Sequence, residues 1–236
     1  MIKIFKKYSR PATKAFLVFV FILVFGFSNG GFYVLQGLGF GELAQNILIK
    51  EAHAASITTG AKYPTLGESV KEAPWSDNAW TTPTNIYSDD AATANVTAAT
   101  FDSPDQTYVL KATGFDFSAI PDGSTIDGVI VRANAWYRSG RGSGSMDLCQ
   151  LLNTSKAKVG TNNCSTAVPL TTNDTTVITK GSSTDLWGNA LTAAWVKSAN
   201  FGVAIGILAT AKNADVDVDY VTVEIYYTPP TEPDFE

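Results

Sequence analysis

Alternation of apolar and polar positions is the strongest signal in the chain. Between Ile126 and Arg138, Val129, Val131, Ala133, Ala135 and Tyr137 share one face, and Ile130, Arg132, Asn134, Trp136 and Arg138 share the other. That is the two-residue period of a half-buried strand. Residues 201–209 bring Phe201, Val203, Ile205, Ile207 and Ala209 together, against a nearly bare opposite set that begins Gly202, Ala204, Gly206. The final run sets Val221, Val223, Ile225 and Tyr227 against Thr222, Glu224 and Tyr226. One face of each strand is expected to be buried and the other solvated. Clusters of Gly, Pro, Asp and Asn punctuate the rest, and strands are predicted at 91–100, 107–113, 125–138, 145–152, 162–168, 175–179, 201–210 and 216–227. A turn or two near 192–198 is the single predicted helix. About eight short strands predict an all-β fold, an antiparallel β-sandwich or jelly-roll-like domain, over residues 75–227. Residues 55–74 show no period and read as an extended arm or linker. Residues 228–236 (TPPTEPDFE) read as a Pro-rich acidic tail.

The first 54 residues follow a different pattern. Lys3, Lys6, Lys7, Arg10 and Lys14 precede an uncharged run of 14 residues, Ala15 to Ser28, which continues more weakly through Phe32 to Phe40 and closes on Ala52-His53-Ala54. A basic start, an apolar stretch and a small-x-small site in that order make up a secretory signal peptide, with cleavage expected between Ala54 and Ala55. The alternative is a retained anchor: the strong run falls short of the roughly 20 residues that span a bilayer, but the weaker extension can complete a span. Either way the basic end stays inside and the rest is delivered outside. The expected address is extracellular, or the cell surface of a bacterium, with membrane contact only through residues 1–54 if they are retained.

Charge and composition narrow the functions. Six of the 17 basic and two of the 22 acidic residues lie in the leader, which leaves 11 bases against 20 acids, a net of −9, in residues 55–236. Such a chain repels nucleic acid and anionic membranes. The one histidine, His53, is in the leader, so the exported part lacks the usual base of hydrolytic triads and the commonest zinc ligand. No carboxylate pair stands out by sequence, and an enzyme is not expected. Cys149 and Cys164 flank a segment that suits a hairpin with its tip near 155–158. In an exported chain this pair reads as one disulfide, with two free buried thiols as the alternative.

Three further sets bear on binding. Trp136 shares its predicted outer face with Arg132, Asn134 and Arg138, an aromatic ring beside hydrogen-bonding side chains, as used to grip sugars and protein partners alike. The alternative is that the ring is covered by the chain's own arm. Asp215, Asp217 and Asp219 alternate along one strand and, with Asp89-Asp90 or with Asp116, Asp122 and Asp127, offer oxygen ligands for a structural Ca²⁺. The alternative there is a charged strand end that discourages edge-to-edge pairing. No other metal and no cofactor is implied. The remaining tryptophans, Trp75, Trp80, Trp187 and Trp195, are expected in the core or at corners, Trp187 as a packing plug in the TDLWG turn.

The pieces ATGFDFSAIPDGSTIDGVIVRANAW (112–136), TDLWGNALTAAWVKSANFGVAI (184–205) and VDVDYVTVEIYY (216–227) together form a pattern. It resembles a recurrent β-sandwich domain of secreted bacterial and phage-associated proteins of unassigned function. The resemblance covers roughly residues 75–227, implies a β-sandwich and transfers no functional residue. The expectation from all of this is a non-enzymatic extracellular module, a structural or adhesive component of a cell-surface or secreted assembly such as a fibre or filament subunit. A carbohydrate-binding module is the alternative. The expected partners are other protein subunits or surface glycans, and the arm is available for strand addition to a neighbour.

Overall fold

Two long alternating runs build the fold. The computed structural model describes residues 55–75, 77–97 and 101–231. The leader with Ala54 and the end of the acidic tail lie outside the described residues. Strand β5 (Thr125–Tyr137) and strand β11 (Val216–Thr228) pair antiparallel along almost their whole length, with Val131 opposite Val223 and Val129 opposite Ile225. They form the centre of a first sheet. Strand β9 (Val177–Ser182) flanks β5, while β1 (Ile57–Thr58) and β3 (Ala94–Val96) share the far edge of β11. In the second sheet, β10 (Gly202–Ala209) lies between β4 (Val109–Thr113) and β6 (Gly144–Leu152). There β2 (Leu66–Val70) is outside β4, and β7 (Lys158–Val159) and β8 (Val168–Pro169) are outside β6. All the strand pairs are antiparallel. Apart from β6–β7–β8, each strand hands the chain to the opposite sheet, so the fold is an antiparallel β-sandwich wound in a jelly-roll-like way.

The inward faces are those that alternation predicts. Val129, Val131, Ala133 and Ala135 meet Val203, Ile205, Ile207 and Ala209 in one buried cluster, joined by Val221, Val223 and Ile225. Phe115, Phe117 and Phe201 pack together at the end of the cluster where β10 begins, and Phe101 is buried at the other end, beside Ala214. The α-helical turn α1 (Ala193–Val196) falls inside the predicted stretch, capped by the Thr192 side chain on the Trp195 N–H.

Three segments differ from expectation. Residues 55–74 are not a free arm. Strand β1 pairs with Tyr226 and Tyr227, and Lys62 exchanges two main-chain hydrogen bonds with Val223, so the arm adds a strand to its own sheet. Strand β2 escapes the sequence pattern because its inward residue is Gly67, packed against the Pro83 carbonyl, while Leu66 points out and is exposed. Residues 162–167 form a loop, and the chain re-enters a strand only at Val168, where β8 begins. The Asn162 side chain accepts the Cys149 and Cys164 N–H groups, a local alternative to a ladder.

Candidate functional site

The outer face of the first sheet gathers the predicted platform residues and the acids of β11. Strand pitch alternates their side chains outward, and the β5–β11 register sets Trp136 opposite Asp217 and Arg132 opposite Thr222. Arg138 grips Asp217 with two hydrogen bonds, Nε to Oδ2 at 2.7 Å and Nη2 to Oδ1 at 2.8 Å, and Thr93 adds a third at 2.8 Å. The hydrogen bond to Asp217 raises the Arg138 pKa further above its ordinary value. Arg132 donates to Glu224 Oε2 at 2.8 Å, and Thr58 of the arm donates to Oε1 at 2.7 Å. Burial alone would push the Glu224 carboxyl up, but the hydrogen bonds from Thr58 and Arg132 prevail and hold it below the usual range. Asn134 is buried and donates to the Asp174 carbonyl at 2.7 Å. Trp136 is half-buried and belongs to neither apolar cluster. Neither the second sheet nor the arm makes it a core residue.

The predicted calcium trio does not assemble. Asp215 pairs with Arg141 at 3.3 Å, and Asp217 is taken by Arg138. The β5–β11 register shifts between Val218 and Val221, and this bulge takes Asp219 out of the alternation that was to align it with the other two. The other proposed acids serve local structure: Asp116 accepts from Ser118, Lys197 pairs with Asp122, and Thr228 donates to Asp127. Among the described residues, no three acidic, cysteine or histidine side chains converge as ready-made metal ligands.

At the other end of the same face, an open groove of about 670 Å³ lies where β5 begins and β11 ends. Ile126 and Leu186 give it an apolar floor, Tyr226 an aromatic wall, and Asp127, Ser183 and Thr228 its polar rim. Eight residues of β5 separate Gly128, which pairs with Tyr226, from Trp136. The two aromatic side chains thus stand about 26 Å apart along the strand, at roughly 3.3 Å per residue. The groove escapes sequence reading because its walls come from four separated segments.

No family model matches this chain, and no curated protein does. Among solved structures, the CBM22-1 xylan-binding domain from Paenibacillus barcinonensis Xyn10C matches at a TM-score of 0.34 and 7% identity, over 72% of this chain and 97% of that one. A likeness at that level carries no argument about ligand.

The second sheet's outer face is closed by the chain itself. The bare row on β10 is bare because the Trp75 ring lies on it: a Cβ at Gly206 would stand 2.6 Å from the ring. Trp75 Nε1 donates to Asp147 at 3.1 Å, and the Lys158 ammonium sits 4.3 Å from the ring centroid. Beneath it Val109, Leu148, Leu152 and Ala204 are fully buried. Lys111, on the same face, is buried against Glu72 and the Lys156 carbonyl. Burial opposes ionisation of Glu72, yet the hydrogen bonds from Lys111 and Lys158 lower its pKa.

Cys149 and Cys164 stand side by side as free thiols in the structure, the arrangement from which oxidation forms the predicted bridge. Both are buried in the main core, close enough to hydrogen-bond each other. The β6–β7 hairpin pairs Leu151 with Val159, which sets its tip nearer 155 than predicted. The turn at 160–164 takes up the extra residues and returns Cys164 beside Cys149. Their mutual hydrogen bond and burial keep Cys149 protonated, whereas the same bond lowers Cys164. Air-oxidised protein is expected to resist alkylation under denaturing, non-reducing conditions and to weigh two hydrogens less than reduced protein. The closed loop of 15 residues should add roughly 3 kcal/mol of stability. Two alkylatable thiols after oxidation would refute the bridge.

The first sheet's outer face thus combines a part-exposed indole, fixed polar groups, and arginines whose charge is already matched by carboxylates. It can hydrogen-bond and stack.

Proposed function

We propose that this chain is an exported, non-enzymatic adhesive module, a structural component of a bacterial cell-surface or secreted assembly. It meets its partner through the outer face of the first sheet. The observation that carries the reading is Trp136, half-buried on the sheet's outer face and flanked along β5 by Arg132, Asn134 and Arg138. Indole and guanidinium groups on a pre-ordered surface are the side chains that dominate interface energetics, because they bury much area at little further loss of freedom. A second feature supports assembly: among the described residues β9 pairs only with β5, so its outer edge is free, and Val177 on it is exposed. An edge of this kind can accept a partner's strand. The arm is not the donor, because it is spent on β11.

A neutral surface glycan is the second reading of the same face. It is favoured by the internal matching of Arg132 with Glu224 and Arg138 with Asp217, which leaves rigid hydrogen-bonding groups without free positive charge. Trp136→Ala is expected to abolish partner binding while changing stability by no more than about 1 kcal/mol, as for a surface substitution. Sedimentation of the wild type and variant reads assembly, and a glycan array reads sugar binding. Loss of the first supports the structural reading and loss of the second the glycan reading. Destabilisation by several kcal/mol would instead make Trp136 a packing residue and overturn both. Secretion is tested separately, by the N-terminal residue of the protein recovered outside the cell.

A further inference from the structure

Most acidic side chains on the first sheet come with a cationic partner, and one keeps an oxygen with no partner at all. Asp215, Asp217 and Glu224 are each paired with an arginine. Asp219 is only 5% exposed, and its Oδ1 is buried without any hydrogen-bond partner. A buried carboxylate oxygen in that condition is destabilising unless something compensates it. What it faces makes matters worse. The exposed turn before β3 brings the Asp89 carboxyl within hydrogen-bonding reach of Asp219, with Asp90 beside it. Among the described residues no Lys or Arg forms an ion pair with Asp89, Asp90 or Asp219.

We propose that Asp219 and Asp89 bind a divalent cation, calcium in preference to magnesium. Each carboxylate contributes oxygen to a hard ion, and the buried Asp219 Oδ1 is the anchor. Asp90 adds charge rather than a ligand, because the Ser88 hydroxyl and the Ala92 N–H already occupy its oxygens. Two side chains are too few for a rigid octahedral cage. They suit an ion that completes a loose shell of six to eight oxygens with water and main-chain carbonyls. The surroundings agree with an unmatched negative charge at this point. Burial raises the Asp219 carboxyl above the ordinary carboxylate range; the Asp90 main-chain N–H opposes this, but the charges of Asp89 and Asp90 raise it again. Tyr63 and Tyr220, packed edge to face at 6.0 Å, are pushed up as well, first by burial and then by Asp89. Bound there, a cation would tie the 88–91 turn to the β11 bulge.

Thermal unfolding of the full chain in detergent, with calcium chloride, magnesium chloride or EDTA, tests this. Calcium at about 100 times its dissociation constant is expected to raise the melting temperature by on the order of 5 °C. That gain should vanish in Asp219→Asn and in Asp89→Asn, the second being an exposed position where the substitution leaves the core untouched. In EDTA, Asp219→Asn should melt no lower than the wild type, since the variant removes an uncompensated charge. Terbium luminescence excited through Tyr63 and Tyr220 should appear in the wild type and be lost in both variants. A wild type indifferent to millimolar calcium, with Asp219→Asn more stable in every condition, would mean that the two carboxyls share a proton and would overturn the proposal. So would a calcium gain of equal size in all three proteins.

Discussion

Trp187→Ala is expected to destabilise the domain by about 3–5 kcal/mol, the cost of truncating a large ring in a close-packed interior. Trp187 is fully buried, and its Nε1 donates to the Val129 carbonyl at 3.0 Å. The surrounding backbone is shaped around the ring. Residue 187 takes a left-handed φ of 56°, which costs a non-glycine residue about 1–2 kcal/mol. The Asp185 side chain accepts its N–H, and the Thr161 N–H reaches its carbonyl. At Gly181, whose φ is 82°, a Cβ would stand 2.1 Å from the Val129 carbonyl and 2.7 Å from the indole nitrogen. Collapse into the vacated space is therefore hindered on that side by main chain. At roughly 2–4 °C per kcal/mol for a domain of this size, the melting temperature should fall by about 10 °C or more. Trp187→Phe should recover much of the apolar burial but leave the Val129 carbonyl unpaired, a residual cost of about 1–3 kcal/mol. Urea unfolding of the three proteins measures both effects. A loss below about 1 kcal/mol for the alanine variant would show that the ring does not hold β5 against the β9–β10 connection.

The second large effect is expected at the Arg138–Asp217 pair. Asp217 is 2% exposed in its side chain and Arg138 47%, so the arginine reaches in from solvent to neutralise a buried carboxylate. Arg138→Ala should cost about 2–4 kcal/mol, somewhat less than a wholly buried pair, because Thr93 still donates to Asp217 and water can approach from the arginine's side. Asp217→Asn combined with Arg138→Ala should recover part of that loss, since the stranded charge is gone. The interaction energy follows from the double-mutant cycle. If Arg138→Ala is neutral, the pair is ornamental and the rigidity ascribed to this face is unsupported. The same variant also bears on function, because Arg138 neighbours Trp136 and its loss frees the carboxylate opposite the ring.

Strands β5, β10 and β11 were legible from the chain alone because their signal is local. A period of two with Val, Ile and Ala on one side fixes which face turns inward whatever the partner strand. The core set 129–135 and the outward placement of Arg132, Trp136 and Glu224 followed from that, as did the closeness of Cys149 and Cys164, which lie on one short hairpin and its return. The absence of a histidine after residue 54 was likewise a property of sequence. Tertiary structure decided what pairs with what. The arm became β1 and β2 because β11 and β4 offered open edges, a choice that lies in the partner strands and not in ASITTG or LGESV. The bulge at 219–220 separated Asp219 from Asp217 and set it against a turn some 130 residues earlier in the chain. Trp75 and the glycine row of β10 explain each other only once one lies on the other. Pairing energies of this kind come from contacts between segments far apart in sequence, whereas alternation needs only neighbours. The faces could therefore be read in advance, and the charge partners, the covered sheet and the unmatched carboxylate could not.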